Sequence, residues 1–403
     1  MKINMSYKIV PLSEVVYFQE GPGLRNWQYA KEGIPFLNIR TLTDEGFINK
    51  SLCQCVKKEE FTNKYEHFLL DEGDFVVSSS GTLGKLAEVR KQDLPIMLNT
   101  SVIRFRPLDT NILDRDFLKW FIKSPLYFRQ IESASTGTAI KNYGPSHLKK
   151  MVIPLPPIAS QRRIANILDK ADEIIRKRKE AIALTEQLQK SIFLDMFGDP
   201  VINPKGWEKV KLAKISNIQG GLQVTKKRES NPIEVPYLRV ANAYRDSLNL
   251  NQIKTIFVTQ QELNKTSLKK GDILIVEGHG NKTEIGRSCV WDDSISNCVH
   301  QNHLIRVRVD DNIAESIYVS NFLNSIGGRS QLIKLGKTTS GLNTINTSNV
   351  KGIEILLPPI KIQKKYITIQ ETIFQYIQKL NQQQKESENL FNSLLQKAFK
   401  GEL

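Results

Sequence analysis

Long apolar runs are missing from this chain of 403 residues. No stretch of about 18 uncharged apolar residues occurs, which argues against a membrane span. The first ten residues also lack the continuous apolar core of a secretory signal, which favours a cytoplasmic protein. Only four cysteines are present, too few for a disulfide framework in a chain of this length, so we expect reduced thiols.

The motifs of DNA-linked enzymes are also missing. No Glu or Asp is followed two residues later by Lys, as in a common class of metal-dependent nucleases. The Asn-Pro pairs that begin at Asn203 and Asn231 lack the second Pro and the aromatic residue of an amino-methyltransferase motif. Gly336-Lys337-Thr338 lacks the earlier Gly of a phosphate-binding loop. These absences favour a chain without catalytic activity of its own.

One cluster has the side chains of a metal site, namely Cys289, Cys298, His300 and His303. Its spacing resembles no zinc knuckle, and the corresponding stretch of the first half, residues 98–100, has no ligands. We therefore expect no metal ion here.

Positive charge is in excess, since 57 Lys and Arg face 42 Asp and Glu for a net charge of +15. Residues 1–202 carry 29 − 24 = +5 and residues 203–403 carry 28 − 18 = +10. A dispersed positive excess favours a polyanionic partner, through neutralisation of phosphates and release of counterions.

A repeat organises the chain. Residues 155–200 and 357–401 align without gaps at an offset of 202 residues, and each stretch predicts a long helix between Pro-Pro and a terminal Gly. Their apolar residues recur every three and four positions, which predicts that the two helices pair as a coiled coil. Because each helix leads out of its own globule, we expect an antiparallel pair that relates the two halves by a pseudo-twofold axis. The predicted pairing residues are Ile164, Ile167, Ala171, Ile174, Leu188, Ile192, Tyr366, Ile369, Ile373, Tyr376, Leu390 and Leu394.

Each long helix follows a globule of mixed strands and helices with the same order of elements. Gly73-Asp74 and Gly271-Asp272 each predict a turn into an apolar strand. Residues 102–106 and 304–308 alternate apolar and basic side chains, which predicts half-exposed strands. A Pro in residues 34–40 and in 235–240 indicates an edge strand or a strand start. The predicted domains are residues 1–157, 158–199, 200–359 and 360–403.

The loops of the two globules differ completely although their frames match. They combine cations, amides, hydroxyls and aromatic rings, the groups that contact phosphates and base edges. In the first half the DNA-binding candidates are Arg25, Asn26, Trp27, Gln28, Tyr29, Arg40, Ser79, Ser80, Thr82, Lys85, Lys141, Asn142 and Tyr143. In the second half they are Gln223, Thr225, Lys226, Lys227, Arg228, Arg239, Asn242, Tyr244, Arg245, His279, Asn281, Lys282, Thr283, Ser340, Asn343, Thr344 and Asn346.

This duplicated order resembles the specificity subunit of type I restriction–modification systems. Leu155-Pro156-Pro157 with Gln161, and Leu357-Pro358-Pro359 with Gln363, carry the resemblance together with the Gly-Asp strands and the terminal Phe197-Gly198 and Phe399-Lys400-Gly401. The family's helices usually open with Glu-Gln, whereas this chain has Ser160-Gln161 and Ile362-Gln363.

The resemblance implies an α+β fold in which two pseudo-symmetric α/β target recognition domains are joined by two long helices forming an antiparallel coiled coil. Each domain would read one half of a split double-stranded DNA target, and the helices would set the spacer and dock two modification subunits. Restriction subunits would complete the complex. S-adenosylmethionine, ATP and Mg²⁺ would belong to these partner subunits and not to this chain.

Two other functions stay open at this point. One is a restriction endonuclease or adenine methyltransferase that acts alone, and assays of the purified chain would reveal it. The other is a two-headed coiled-coil adaptor that binds protein, which would show no salt-dependent binding of duplex DNA.

Overall fold

The computed structural model describes residues 7–134, 142–339 and 342–403, and the chain divides into two compact units. One unit contains residues up to 180 together with residues 382–403, and the other contains residues 181–381. Each unit therefore combines one globule with parts of both long helices. Within the described ranges, no helix combines the length and the apolar composition needed to cross a bilayer.

The first globule begins and ends with strands that pair with each other. Its strands are β1 (Lys8–Pro11), β2 (Val16–Glu20), β3 (Tyr29–Ala30), β4 (Ile34–Phe36), β5 (Gln54–Val56), β6 (Phe75–Ser78), β7 (Leu86–Glu88), β8 (Val102–Pro107) and β9 (Val152–Leu155). Its helices are α1 (Leu12–Val15), α2 (Lys58–Lys64), α3 (Arg115–Lys123), α4 (Pro125–Ala134) and α5 (Pro145–Leu148), and the long helix α6 (Ile158–Phe197) follows. Strands β1 and β9 are antiparallel, so the chain leaves the globule beside its own entry point.

The second globule repeats this plan. Its strands are β10 (Glu208–Lys211), β11 (Ser216–Gly220), β12 (Ile233–Leu238), β13 (Ala243–Tyr244), β14 (Ser247–Leu248), β15 (Lys254–Val258), β16 (Ile273–Val276), β17 (Gly278–His279), β18 (Ser288–Val290), β19 (Val299–His300), β20 (Leu304–Val309), β21 (Lys337–Thr339), β22 (Leu342–Thr344) and β23 (Glu354–Leu357). Its helices are α7 (Gln260–Thr266), α8 (Ser316–Asn324), α9 (Ile326–Leu335) and α10 (Thr347–Lys351), and the long helix α11 (Ile360–Ala398) follows.

The main sheets of the two globules correspond strand by strand. Their orders are β2-β8-β6-β7 and β11-β20-β16-β18, with antiparallel pairs throughout. The smaller sheets differ, since the order is β3-β5-β4 in one globule and β15-β12-β19 in the other. The structure thus confirms a common frame with divergent additions.

The prediction for the two proline strands is right for one and wrong for the other. Strand β4 with Pro35 lies at a sheet edge, as expected. Strand β12 with Pro236 lies between two strands, but β19 pairs only with Tyr237 and Leu238. On the β19 side no strand pairs with Pro236, so no hydrogen bond there requires the N–H that proline lacks.

The Gly-Asp turns form as predicted, and each places a buried Asp in an ion pair with a half-exposed Arg. Gly73 and Gly271 have φ angles of +90° and +88°, a conformation that favours Gly. Each is followed by a buried Asp that accepts hydrogen bonds from an Arg of β8 or β20, as the pairs Arg106–Asp74 and Arg308–Asp272.

The prediction of half-exposed arginine strands is right for Arg106 and Arg308, which are half-exposed, and wrong for the other Arg of each strand. In β8 and β20, Arg104 and Arg306 are buried, and the outer face of each strand is covered by polar partners. Arg104 donates to the Leu69 carbonyl and to Gln19, while Arg306 donates to the Lys265 and Ser267 carbonyls and to Gln219. Burial of a guanidinium is tolerated because most of its N–H groups are paired in this way, and in both residues only Nε lacks a hydrogen-bond partner among the described residues.

The residue Gln161 and its counterpart Gln363 explain why a Gln follows each Leu-Pro-Pro. Both are fully buried at the start of a long helix. Gln161 accepts from the Asp114 N–H at 2.8 Å and donates to the Pro156 carbonyl at 2.8 Å. Gln363 makes the matching bonds to Glu315 and Pro358. Each Gln thus ties the long helix to the first turn of a helix in its globule.

Both long helices take part in each unit. In the first unit, Arg178 of α6 donates to Gln383 of α11 at 2.7 Å, and Phe399 packs against Phe117 with ring centroids 5.1 Å apart. In the second, Gln189 of α6 donates to Gln370 of α11 at 2.6 Å. Later residues of α6 meet earlier residues of α11, which confirms the antiparallel pair.

The buried and half-buried positions along the inner faces of the two helices have the same heptad spacing and the same offset of 202. On α6 they are Gln161, Ile164, Leu168, Ala171, Ile175, Arg178, Ile182, Thr185, Gln189, Ile192 and Met196. On α11 they are Gln363, Tyr366, Gln370, Ile373, Ile377, Leu380, Gln384, Ser387, Phe391, Leu394 and Ala398. The predicted residues Ile164, Ala171, Ile192, Tyr366, Ile373 and Leu394 are among them.

Four predicted pairing residues are wrong, because Ile174, Leu188, Tyr376 and Leu390 are exposed. In each case the next residue along the helix is less exposed, since Ile175 is buried and the other three are half-buried. Ile167 and Ile369 are half-buried and precede the buried Leu168 and Gln370. One residue turns the side chain by about 100° around a helix of 3.6 residues per turn. Apolar patterning cannot choose between neighbours such as Ile174 and Ile175, and it selects Leu188 where the structure buries Gln189.

Candidate nucleic-acid interface

The candidate interface of the first globule is built around two chain segments that meet beside the main sheet. Ser80 pairs with Asn142 in an isolated antiparallel bridge, and the Tyr143 N–H donates to the Ser79 carbonyl at 2.9 Å. The Ile39 side chain lies 3.2 Å from the site where Gly81 would carry a Cβ, so the turn with Arg40 adjoins the same loop. The structure therefore brings together candidates from three separate parts of the sequence.

The second globule makes the same juxtaposition with different side chains. His279 pairs with Asn343 and Gly278 with Thr344 in the β17–β22 ladder. The His279 ring accepts from the Asn281 N–H at 3.0 Å, which shapes the turn that carries Lys282 and Thr283. The two loops thus occupy corresponding places while presenting unlike groups, as expected of readers of two different sequences.

The segment with Trp27 is the most prominent aromatic feature of the described surface. Trp27 is 72 % exposed, and it lies in a 3-10 turn next to exposed Arg25 and Asn26. The turn is held from below by buried Gln28, which donates to Glu60 at 3.0 Å and to the Tyr65 hydroxyl at 2.9 Å. An exposed Trp on a fixed turn is suited to contact with a partner.

Several candidates are corrected because their side chains are buried and serve the frame. Gln28 supports the Trp27 turn, and Tyr143 shares a hydrogen bond of 3.1 Å with the Tyr127 hydroxyl. Asn242 donates to the Asn249 and Gln252 carbonyls, and the buried Ser79 hydroxyl donates to the Thr100 carbonyl at 3.4 Å. Asn343 is also buried and donates to the Gly280 carbonyl. These five side chains position loops and do not face a partner.

Other candidates are engaged at the surface by neighbouring carboxylates. Lys85 pairs with Asp44 at 2.6 Å, Arg228 with Glu262 at 3.0 Å and Arg245 with Glu284 at 3.4 Å. A hydrogen bond of 3.4 Å joins Arg239 to Gln252. These cations can meet phosphate only by sharing or exchanging their present partners.

The remaining described candidates are exposed or half-buried side chains. They are Arg25, Asn26, Trp27, Tyr29, Arg40, Ser80, Thr82, Asn142, Gln223, Thr225, Lys226, Lys227, Tyr244, His279, Asn281, Lys282, Thr283, Thr344 and Asn346. Lys141 and Ser340 lie outside the described residues. For all of these candidates, a role in binding DNA stays a prediction.

Two residues that the sequence did not single out join the candidate surface. The Thr100 N–H donates to the Pro22 carbonyl, and the Asn302 N–H donates to the Leu222 carbonyl. These bonds fix the segments before Arg25 and Gln223 against the start of the arginine strands. Thr100 and Asn302 are 202 residues apart, the same offset that relates the two long helices. The repeat could therefore have identified these two residues from the sequence.

The side chains that suggested a metal site are explained by burial. Burial raises the pKa of the Cys289 and Cys298 thiols to about 12, so neither is a thiolate. Burial lowers the pKa of His300 to about 4, and His303 lies 3.5 Å from Glu277 instead. Among the described residues, no three possible ligands are grouped as a metal ion requires.

Comparison with known proteins assigns the duplicated plan to a family. The type I restriction modification DNA specificity domain matches twice, at residues 4–184 and 204–388. The chain is 28 % identical over 357 aligned positions to the StySPI specificity subunit of Salmonella potsdam, covering 82 % of this chain and 74 % of that protein. It is 26 % identical over 432 aligned positions to the EcoKI specificity subunit of Escherichia coli K12, covering 100 % and 90 %.

Two solved structures share the fold. A chain from a study of complex assembly and conformational transition of the type I R-M system has a TM-score of 0.63 at 19 % identity, with full coverage of both chains. The S subunit from M. genitalium has a TM-score of 0.54 at 17 % identity, covering 99 % of this chain and 97 % of that one. With both halves matched by the domain profile, the chain belongs to the type I restriction modification DNA specificity family, whose subunits are not catalytic.

Proposed function

We propose that this chain is the sequence-reading subunit of a type I restriction–modification complex and that each globule reads one half of a split double-stranded target. The duplicated frame with unlike loops carries this proposal. Equivalent ion pairs to a buried Asp, Arg106–Asp74 and Arg308–Asp272, hold the two main sheets, whereas the loops that begin at Ser80 and His279 present different groups. Two rigid frames with unlike surfaces suit two unlike half-sites.

The loop charges fit a duplex partner. Arg25 and Arg40 are exposed in the first globule, and Lys226, Lys227 and Lys282 are exposed in the second. Cations of this kind bind phosphates and hold a protein in register, while neighbouring amides and aromatic rings contact the bases.

The paired helices α6 and α11 would set the spacer and dock two modification subunits, with restriction subunits added to the complex. Exposed apolar side chains support docking, since Leu184, Leu188, Phe374 and Tyr376 are all exposed in the second unit. Large apolar side chains grouped at a surface are typical of protein interfaces. S-adenosylmethionine, ATP and Mg²⁺ would be bound by the partner subunits.

The test is a methylome of cells that express this chain with an active modification subunit. We expect methylated adenines in one split motif, with two specified halves and an unspecified spacer of fixed length. No new methylation, or a continuous motif, would contradict the proposal. Methylation or cleavage by the purified chain alone would favour the stand-alone enzyme instead, and assembly without salt-dependent duplex binding would favour the protein adaptor.

Replacing Trp27 by alanine should weaken binding of the first half-site. Truncation of an exposed aromatic anchor at an interface costs about 1–3 kcal/mol, roughly 5- to 150-fold in affinity. The measurement is titration of the assembled complex against the natural target and against targets altered in either half, at one salt concentration.

The matched variant is Tyr244→Ala in the second globule, where the Arg287 guanidinium lies 4.8 Å from the centre of the Tyr244 ring. On a target whose first half-site is already altered, Trp27→Ala should reduce the affinity little. On a target whose second half-site is altered, Tyr244→Ala should likewise reduce the affinity little. Equal losses on every target would place Trp27 outside the sequence-reading surface.

A further inference from the structure

The second unit contains a cavity of about 220 Å³ where helix α8 faces the long helices. It is lined by Ser320 and Asn321 of α8, by Gln370, Glu371 and Phe374 of α11, and by Asp246. Phe374 is 58 % exposed and Glu371 is exposed, so the cavity opens to solvent on that side. Its volume is below the roughly 300 Å³ at which small-molecule sites begin, and it suits a single side chain.

The first unit fills the equivalent place with its own residues. Asp114 and Glu315 make matching bonds to Gln161 and Gln363, which sets an offset of 201 between α3 and α8. By that offset Trp120 corresponds to Asn321. Trp120 is buried and packs edge-on against Phe391, with ring centroids 5.4 Å apart. By the offset of 202, Gln189 of the second unit corresponds to Phe391. Two large rings of the first unit are therefore replaced by two amides in the second.

The charge at this place is also compensated in one unit and not in the other. Asp169 accepts from Lys119 Nζ at 2.6 Å and from Trp120 Nε1 at 3.1 Å. The corresponding residues of the second unit are Glu371, Ser320 and Asn321. Ser320 is too short to reach as Lys119 does, and its hydroxyl instead lies 3.0 Å from the Ser288 hydroxyl. Within the described ranges, Glu371 has no ion pair.

An unpartnered amide lines the same cavity. Gln370 is 5 % exposed, its Oε1 accepts from Gln189, and its Nε2 has no hydrogen-bond partner among the described residues. Leaving a buried amide donor without a partner is unfavourable, so a group that occupies the cavity and accepts this hydrogen bond is favoured. The polar atom and the uncompensated carboxylate are independent features that point to an occupant.

We propose that this cavity receives an arginine side chain from the modification subunit. The first unit fills the equivalent place with a cation and a flat ring, and a guanidinium supplies both in one group. Arginine can pair with Glu371, stack on the exposed ring of Phe374 and leave its own backbone carbonyl to accept from Gln370. Asp246, which accepts from Asn324 at 2.7 Å, adds negative charge, and Lys190 is a nearby cation. The acidic lining excludes DNA phosphate.

This inference rests on the proposed function and makes docking unequal in the two units. The place is occupied by Trp120 and Lys119 in the first unit, so only the second offers an open receptor. One of the two modification subunits should therefore be held more tightly than the other.

The first test is the affinity of the modification subunit for the full-length chain carrying Glu371→Gln. We expect a loss of about five- to tenfold at the site on the second unit, as for a partly shielded ion pair. Asp311→Asn, which removes an exposed carboxylate elsewhere in the same unit, should leave the affinity unchanged. Wild-type affinity for Glu371→Gln would overturn the proposal.

The second test fills the cavity. Asn321→Trp should reduce docking on the second unit at least tenfold, whereas Asn321→Ala removes the same 2.7 Å bond to the Tyr366 hydroxyl without filling the space. The difference between the two variants measures occupancy of the cavity. Equal docking by both, with thermal unfolding showing both folded, would refute an occupant from the partner.

The third test identifies the occupant with a photo-reactive phenylalanine analogue at position 374. Irradiation of the assembled complex should join it to a peptide of the modification subunit at or beside an arginine. Attachment to DNA, or to a segment without arginine, would refute the proposal. If the wild-type chain neither binds modification subunits nor reads a split target, the proposed function fails; if it does both and these variants behave normally, only the inference fails.

Discussion

Replacing Asp272 by asparagine should lower the free energy of unfolding of the second unit by about 2–3 kcal/mol, since the Arg308 side chain that loses its counterion is 32 % exposed and partly solvated. Asp272 is 1 % exposed, and its carboxylate accepts from Arg308 Nε and Nη2, both at 2.7 Å. It also accepts from the Lys269 N–H at 2.7 Å, which closes the turn before β16. An asparagine keeps the size of the side chain but removes its charge, so the Arg308 guanidinium loses its counterion inside the protein.

The loss should spread through the main sheet, because Arg308 and Arg306 come from the same strand. Arg306 is buried and donates to Gln219 of β11 at 2.7 Å, so this strand joins the turn, the sheet and its neighbour. Asp74→Asn should act in the same direction in the first unit, although Arg106 also pairs with Asp71 there. Two changes that are distant in sequence should thus destabilise two different units.

The measurement is urea unfolding followed by hydrogen exchange of peptides from β16 and β20, which separates the second unit from the first. Asp292→Asn is the control, because this exposed Asp accepts from the Ser294 N–H and has no ion pair within the described ranges, and asparagine can accept the same bond. A loss below about 1 kcal/mol for Asp272→Asn would mean that solvent reaches Arg308 and replaces the ion pair.

These ion pairs show where sequence reasoning succeeds and where it stops. The repeat predicts both the Gly-Asp turns and the basic strands. In the structure, Gly73 and Gly271 have the backbone conformation that Gly favours. The repeat does not predict that the turns and the strands form ion pairs with each other. Asp272 and Arg308 are 36 residues apart in the sequence, and no local motif links them. Alternating basic residues are ordinarily solvated, so burial of Arg104 and Arg306 required knowledge of the neighbouring strand.

The long helices illustrate a second limit. Their existence, ends and antiparallel order followed from Pro-Pro, the terminal Gly and the heptad pattern. At some positions the pattern selects the wrong one of two neighbouring residues, because adjacent apolar residues such as Tyr376 and Ile377 satisfy it equally well. The structure chooses by packing, and it buries Gln189 and Gln370 together, a choice that apolar periodicity cannot make.

The loops set a third limit. Residue type selected exposed side chains such as Trp27 and Lys282, but it could not separate these from the buried Gln28, Tyr143 and Asn242. Amides and hydroxyls serve equally as frame and as contact groups. Only the hydrogen bonds to neighbouring backbone, known from the fold, distinguish the two uses.

Removing one heptad from each long helix should abolish recognition of the natural target and create preference for a different spacer. The segments to remove are residues 176–182 of α6 and 378–384 of α11, which correspond by the offset of 202. Ile175 and Ile377 would then be followed by Thr185 and Ser387 at the next buried positions, so the heptad spacing continues unbroken. Affinity for the natural target should fall at least about 100-fold, since the two half-sites can no longer be bound together.

Seven residues span about 10 Å of helix, which equals roughly three base pairs at 3.4 Å each. The half-sites should stay the same while the spacer changes by up to this amount. Three base pairs also turn the duplex by about a third of its helical repeat, so binding of the new spacer requires the complex or the DNA to twist. We therefore expect the best altered target to be bound more weakly than the natural target is by the intact chain.

The measurement is selection from a library in which both half-sites and the spacer length vary, with the modification subunit present. Removal of residues 176–182 alone is the matched control, since it shifts the buried positions of α6 against those of α11 by one heptad and should disrupt pairing. An unchanged spacer with altered half-sites would show that the helices do not set the distance. A changed spacer with unchanged half-sites would separate the two tasks physically, because the globules would then determine which bases are read and the helix pair only how far apart they are.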